Sequence, residues 1–409
     1  LWNAASGRFV REFVGGTTYG GAEGGLIDPA NPNRAFSDGV WYEIDLAKEG
    51  YRPLLTLRGR QSIDDCFAPL DMASRGYFNI HHHQIINAAN GRRYMVTVQY
   101  AGPIAIGELK PDYSWQPSVA IGHVRREMTP PVDKLRDRDR PWPAFFARHA
   151  GETYIWTDAN GDGIPQEDEF QWRKGLPAIA AGWGTGAVDP AMNVYGGMRQ
   201  VTRFAFQGWG ANGIPRYDIH ACKTVANHGS QCDSVAVDAR EWVFTLCQAE
   251  RRGGVHSLSA FDPEGNRRWS IPTSTDYRRP DAISGEALLG PVGTGGEAGE
   301  VLGVTQWHGL HVPLVTTDGL LLARLLRDPA AGGAPGPDLY KGETVQYLNA
   351  LDDGRVILAH GKNAHHFLQV TGLDTVRRFS GTFELTAAQA AQAERQRADG
   401  QIEAEANAP

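Results

Sequence analysis

The 409-residue chain is short of cysteine, with four, and no two of them form a C-x-x-C pair. Zinc ribbons, thioredoxin-like redox sites and c-type haem attachment rely on that spacing, so none of them is supported. No run of 18 apolar residues is present, so the sequence contains no helical membrane span. Basic residues are in deficit: 40 Lys and Arg stand against 47 Asp and Glu, a net charge of −7. No basic stripe stands out, which argues against nucleic acid as a partner. The one dense charged run, Lys134–Arg140, alternates in sign and nearly cancels, as a solvated loop does. The glycine-rich stretch Gly290–Gly303 lacks the Lys-Ser/Thr of a phosphate-binding P-loop and reads as a loop. No G-x-S-x-G elbow marks an α/β-hydrolase. The first residue is not Met and no signal-peptide pattern is visible. The segment Trp2–Val10 reads as a strand, turn and strand already under way, so residues upstream are expected.

What the chain has in quantity is turns and rings. It carries 49 Gly, 24 Pro and 11 Trp, with 41% hydrophobic residues, enough for a sizeable core. Short apolar or alternating runs recur, each ended by a polar turn. Tyr94–Tyr100, Thr153–Thr157, Val235–Leu246, His256–Phe261 and Val356–Ala359 are of this kind. The turns Asn3–Gly7, Asn87–Gly91, Asp262–Gly265 and Asp352–Gly354 supply the Asn, Asp and Gly that tight hairpins require. The expectation is an all-β fold, as one large domain or two smaller ones. Cys222 and Cys232 lie ten residues apart across a Gly/Ser/Asn loop, so a local disulfide is expected there. The alternative is that all four cysteines, Cys66 and Cys247 included, are buried thiols.

The clearest unit is Ser257–Trp269, in which a strand meets a turn at Asp262, Gly265 closes it and Trp269 returns in the next strand. This D-x-x-G-x-x-x-W unit and the opening Trp2–Phe13 resemble blades of the quinoprotein-like and NHL-like β-propellers. The phrases Gly208–Asp218, Val315–Asp328 and Val370–Gly381 also resemble uncharacterised secreted propellers of environmental bacteria. The resemblance implies a β-propeller of six to eight blades over residues 1–385. Its units are unevenly spaced, so long inter-blade insertions are expected, of which the Pro-rich charged stretch Met128–Pro143 is one. Residues 386–409 read as a short helix from Thr386, an N-cap candidate, to about Arg397, followed by a tail.

One motif is specific. Asp158, Asn160, Asp162, Gly163, Ile164, Gln166 and Glu169 fit the EF-hand loop D-x-[DN]-x-[DN]-G-x5-E at every fixed position. A hard cation such as Ca2+ takes six to eight oxygens, here from the Asp158, Asn160 and Asp162 side chains, the Ile164 carbonyl, Gln166 through water and Glu169 by both oxygens. The flanks read as strands rather than helices, and Pro165 follows position 7. The loop therefore reads as a structural staple between two strands. The alternative is a hairpin that binds no ion.

Histidines offer the other chemistry. In a strand His81 and His83 share a face and, with a third ligand, suit a transition metal or acid–base work. The competing reading is a polar strand with its imidazoles bonded to backbone. His308 and His311, and His365 and His366, form further pairs. Trp115, Trp142, Trp172, Trp183 and Trp209 lie in loop-like contexts where they could stack on sugars or fill blades. Two functions follow. The first is a secreted, periplasmic or cell-surface, calcium-binding and non-catalytic module for an extracellular glycan or protein, part of a larger assembly. The alternative is a polysaccharide-active lyase or hydrolase with His81, His83 or His308 at a channel site.

Overall fold

An aspartate at the end of an apolar run is what turns this chain. Oδ1 of Asp238 accepts from the backbone N–H groups of Arg240 and Trp242, each at 2.9 Å. That reversal splits the run Val235–Leu246, which reads as continuous in sequence, into two paired strands. Asp189 acts alike: its carboxylate accepts from the Asn193 backbone and side-chain amides, both at 2.8 Å, and from the Tyr195 hydroxyl at 3.0 Å. Asp28 accepts from the Ala30 N–H at 3.0 Å and the Tyr113 hydroxyl at 2.7 Å, and pairs with Arg93. Burial beside that carboxylate pushes the Tyr113 phenol up to about 12. All three aspartates are buried.

The computed structural model describes residues 26–37, 40–45, 50–57, 80–99, 103–115, 117–124, 144–163, 165–177, 186–197, 199–227, 232–247, 257–273, 287–305, 312–325, 345–361, 366–379, 386–389 and 391–392, with the single positions 179 and 283. The first sheet contains β1 (Leu26–Asp28), β2 (Asn31–Ser37), β3 (Val40–Asp45) and β4 (Gly50–Thr56). The second has six strands: β5 (Ile80–Asn87), β6 (Arg93–Gln99), β7 (Ile104–Glu108), β8 (Val119–His123), β9 (Thr153–Thr157) and β10 (Phe170–Arg173). The third contains β11 (Gly186–Val188), β12 (Val194–Gly196) and β13 (Gln200–Phe204). A separate hairpin, β14 (Phe206–Trp209) and β15 (Pro215–Tyr217), then intervenes before the fourth strand of that sheet, β16 (Lys223–Asn227). The fourth sheet has β17 (Cys232–Val237), β18 (Val243–Cys247), β19 (Ser257–Phe261) and β20 (Arg267–Pro272). The fifth has β21 (Ala287–Gly293), β22 (Glu300–Thr305), β23 (Val312–Thr316) and β24 (Leu321–Leu325). The sixth has β25 (Val345–Ala350), β26 (Val356–Gly361) and β27 (His366–Val370). Every pairing is antiparallel between strands successive in the chain, except that β13 pairs with β16 across the hairpin.

The six sheets form a ring. β11 packs on β17, β17 on β21, β21 on β25, β25 on β1 and β1 on β5, while β11 also meets β6. This is a six-bladed β-propeller, at the lower end of the expected range. The core is layered between blades. Ala236, Phe244, Leu246, Leu258 and Ala260 of blade four face Leu288, Leu302, Val304 and Val315 of blade five. Ile86, Val96, Ile104 and Ile121 of blade two face Val188, Val194 and Phe204 of blade three. Middle strands are thus buried on both faces, which is why β18 and β23 are buried at every residue and read as continuous apolar runs.

Several expectations need correction. Gly290–Gly303 is not a loop: it spans the end of β21, a turn held by Thr294 and Gly299, and the start of β22. Cys222 is a free thiol, 3.2 Å from a guanidinium nitrogen of Arg173, so it forms no bridge to Cys232; Cys247 is free and buried. Burial pushes the Cys222 thiol up. Trp115 is buried, and its indole N–H donates to the Met95 and Gly107 carbonyls at 3.0 and 3.1 Å. Of the two roles expected for it, it takes that of blade filler and offers no face to a sugar. Trp142, Trp183 and the segments Trp2–Phe13 and Met128–Pro143 lie outside the described residues. At Thr386 a capping box forms: Thr386 Oγ1 accepts from the Gln389 N–H at 3.3 Å, and Gln389 Oε1 accepts from the Thr386 N–H at 2.9 Å. Between blade six and that helix, Arg378 reaches back to blade five. It donates to the Glu297 and Ala298 carbonyls and pairs with both oxygens of Asp318, holding the Asp318 carboxyl down at about 2. Phe379 follows, fully exposed.

Two substitutions test this packing. Leu302 is fully buried between blades four and five, so Leu302→Ala is expected to cost about 2–5 kcal/mol in denaturant unfolding. The Tyr154 hydroxyl is buried without a hydrogen-bond partner among the described residues and packs against Gly122. Tyr154→Phe removes that desolvated group and is expected to leave stability unchanged or raise it by about 1 kcal/mol. A loss of comparable size would show that the hydroxyl is satisfied.

Candidate functional site

The EF-hand-like loop sits where blade two is widened. Among the described residues the other blades have four strands or fewer; here β9 and β10 continue the sheet outward, with Trp156 opposite Phe170 and Thr153 opposite Arg173. Residues 158–169 are their connection. The expected strand flanks are present, and the Asp158 N–H anchors the loop by donating to the Ser118 carbonyl at 2.9 Å.

The loop folds around its first residue. Asp158 is 3% exposed, and its two carboxylate oxygens accept from the Gly161 N–H at 2.8 Å and the Gly163 N–H at 3.0 Å. Gly161 and Gly163 have φ of 79° and 73°, the left-handed region that side chains resist. Asn160 Oδ1 accepts from the Asp162 N–H at 2.8 Å. Glu169 closes the ring: Oε1 accepts from the Ala159 N–H at 3.0 Å, and Oε2 from the Trp156 indole at 2.8 Å and the Gln166 N–H at 3.2 Å. The Asn160 and Gln166 side-chain amides donate to Asp162 Oδ2 at 3.1 and 2.8 Å. Burial pushes the Asp158 carboxyl up, against the pull of the two glycine N–H groups; the negative charges of Glu169 and Asp162 push it further.

Five of the six expected metal ligands are therefore gathered on one loop, and Ile164 lies outside the described residues. The donor set is all oxygen, as a hard cation requires. Among the described residues, however, no group of three or more His, Cys, Asp or Glu side chains is drawn tightly enough together to hold an ion. Glu169 faces Trp156, and Asp162 faces two amides. Turning the Asn160 and Gln166 amides over would present their carbonyl oxygens instead, so the set fits calcium after side-chain rotation only.

A groove of about 290 Å3 adjoins the loop, lined by Glu108, Lys110, Ser118, Asp158, Asn212 and Ile214 among others. Its far wall is the tip of the β14–β15 hairpin, pinned across blade two. The Tyr94 hydroxyl donates to the Gly213 carbonyl at 2.6 Å, Arg92 donates to the Asn212 carbonyl, and Trp209 stacks on Tyr94 at 5.1 Å. Gly213 has φ 79°, and a Cβ there would press on the Arg92 guanidinium at 2.8 Å.

The central channel holds a second cavity of about 220 Å3, bordered by every blade and by Gln84, Glu300 and Asn349. His83 borders it too, buried, edge-on to Phe36 at 4.8 Å and stacked on Tyr347 at 6.0 Å. Burial and Asp238 push the Glu300 carboxyl up. His81 belongs to the same strand, β5. His308, His311 and His365 lie outside the described residues. Glu300, Gln84 and Asn349 were not anticipated, because only ring closure brings them together. Asn212 and Gly213 carried a visible turn signal with no hint of where the hairpin would land.

No family model matches the chain, and no curated protein matches it. Solved structures are similar in outline. Virginiamycin B lyase from Staphylococcus aureus is 11% identical over 88% of this chain and 98% of that one, with a TM-score of 0.42. An auxiliary nutrient binding protein from Bacteroides thetaiotaomicron is 11% identical over 85% and 68%, with a TM-score of 0.38. A chain of the mitotic checkpoint complex is 12% identical over 90% and 97%, with a TM-score of 0.39. All three TM-scores lie below 0.5, and neither the fold nor any role of this chain is argued from these likenesses. Among the described residues, no helix is long and apolar enough to cross a membrane.

Proposed function

We propose that the chain is a secreted or cell-surface calcium-binding propeller that works as a non-catalytic binding or structural module for an extracellular glycan or protein partner. The observation that carries this reading is Asp158, a buried carboxylate crowded by Glu169 and Asp162 on a loop with oxygen at every expected side-chain position. A divalent cation offsets that repulsion, and extracellular modules work with weak calcium sites of about 10⁻⁴–10⁻³ M. One observation favours the alternative, a polysaccharide lyase or hydrolase: His83 borders the channel cavity. Turnover of a polysaccharide by the purified chain, lost in His83→Ala, would establish the enzyme and overturn the module.

Calcium is tested by thermal unfolding in chelator and in excess Ca2+. A ligand at a hundredfold excess over Kd stabilises the native state by about 2.7 kcal/mol. The expected result is a clear rise in Tm that disappears in Asp158→Ala and in Glu169→Gln; equal curves with and without calcium would remove the reading.

Acidity supplies a second check. In chelator, folded Asp158 holds its proton to higher pH than its ordinary value of 3.8. A raised carboxyl destabilises the fold where it is ionised, above the folded pKa, and the cost vanishes below the unfolded one. The stability difference between wild type and Asp158→Asn should therefore move in favour of wild type as pH falls through that window. With calcium present the sign reverses, because the ion requires the ionised form. A difference independent of pH in both conditions would show that Asp158 is not held in this way.

A further inference from the structure

The groove beside the loop gives the proposed module a place to bind. We infer that it takes one neutral sugar residue and that calcium in the Asp158–Glu169 loop sets its affinity, an inference that rests on the calcium reading above. Asp158 and Gly161 belong both to the loop and to the groove wall, so ordering the loop orders the groove. The opposite wall is built on purpose-shaped chemistry: the β14–β15 hairpin leaves blade three and is fastened to blade two by Tyr94, Arg92 and the stacked Trp209. Its tip brings Asn212, at φ 57°, and Ile214 to face the loop.

The lining suits a sugar better than an ion. Glu108 is paired with both Arg92, at 2.9 Å, and Lys110, at 2.6 Å, and a cation in the loop compensates Asp158. The groove then presents no uncompensated charge of one sign. Lys110, Ser114, Ser118 and Asn212 offer donors and acceptors along one side; Pro117 and Ile214 add apolar wall. A sugar ring has the matching halves, hydroxyls at its edge and C–H groups on its face. At about 290 Å3 the groove lies at the small end of ligand pockets, which run about 300–1,000 Å3, so one ring fits better than a chain.

The test uses the full chain and the methyl glycosides of glucose, mannose and galactose as probes. Calcium binding is measured first by calorimetry, and glycoside binding then by saturation-transfer NMR, in calcium and in chelator. The expected result is saturable binding of at least one glycoside in calcium, weakened about tenfold or more in chelator. Ile214→Trp, which fills the groove, should abolish glycoside binding and leave calcium binding unchanged. Asn212→Gly keeps the left-handed turn, removes the amide and should weaken the glycoside several-fold. If calcium binds and no glycoside does, or if Ile214→Trp binds glycoside as wild type does, the groove is not the site and the calcium reading still stands. If glycoside binding persists equally in chelator, control by calcium is overturned.

Discussion

Face-to-face packing of neighbouring blades is the constraint on which the rest of this structure depends. Each sheet is apolar on both sides of its middle strands, so no blade can stand alone in water. Phe244 and Leu258 need Leu288 and Leu302 across the gap, and Val96 and Ile104 need Val188 and Phe204. Closing the ring satisfies every face at once. The same closure creates the channel, and it fixes the innermost strands rigidly enough for features at the rim to be placed by them.

The rim carries the individuality of this protein. Two extra strands widen blade two, and a hairpin inserted in blade three bends back to meet them. Aromatic side chains are the fasteners: Trp156 holds Glu169, and Tyr94 holds Gly213 and carries Trp209. The Asp158–Glu169 loop is therefore no free appendage, because its last residue is tied to a fully buried indole. Channel and groove are separate sites with different makeup. The channel is bounded by His83, Gln84 and Glu300 from the innermost part of the fold, whereas the groove belongs to the outer part of blade two.

Local pattern carried much of the fold. Strands at Thr153–Thr157 and Ser257–Phe261, turns at Asp262–Gly265 and Asp352–Gly354, and the cap at Thr386 are all set by neighbours in sequence, and all were legible. The misreadings share one cause. Val235–Leu246 and Gly290–Gly303 are hairpins whose identity depends on buried pairing partners. Cys222 had a plausible partner by spacing, but the chain directs its thiol to Arg173. Of the candidate site, the position of the loop between two strands was readable because its oxygen-bearing residues and its turns lie within twelve positions. The groove was not, because Glu108, Asp158 and Asn212 are brought together from two blades.

The Arg378 contacts bear on everything downstream of the last blade. A chain leaving β27 would ordinarily depart from blade six. Here the guanidinium clasps Asp318 and two carbonyls of blade five, so the polypeptide is moored one blade back along the ring before it moves away. Loss of Asp318 would therefore loosen a segment of blade six's exit as well as a turn of blade five, coupling two blades through one side chain.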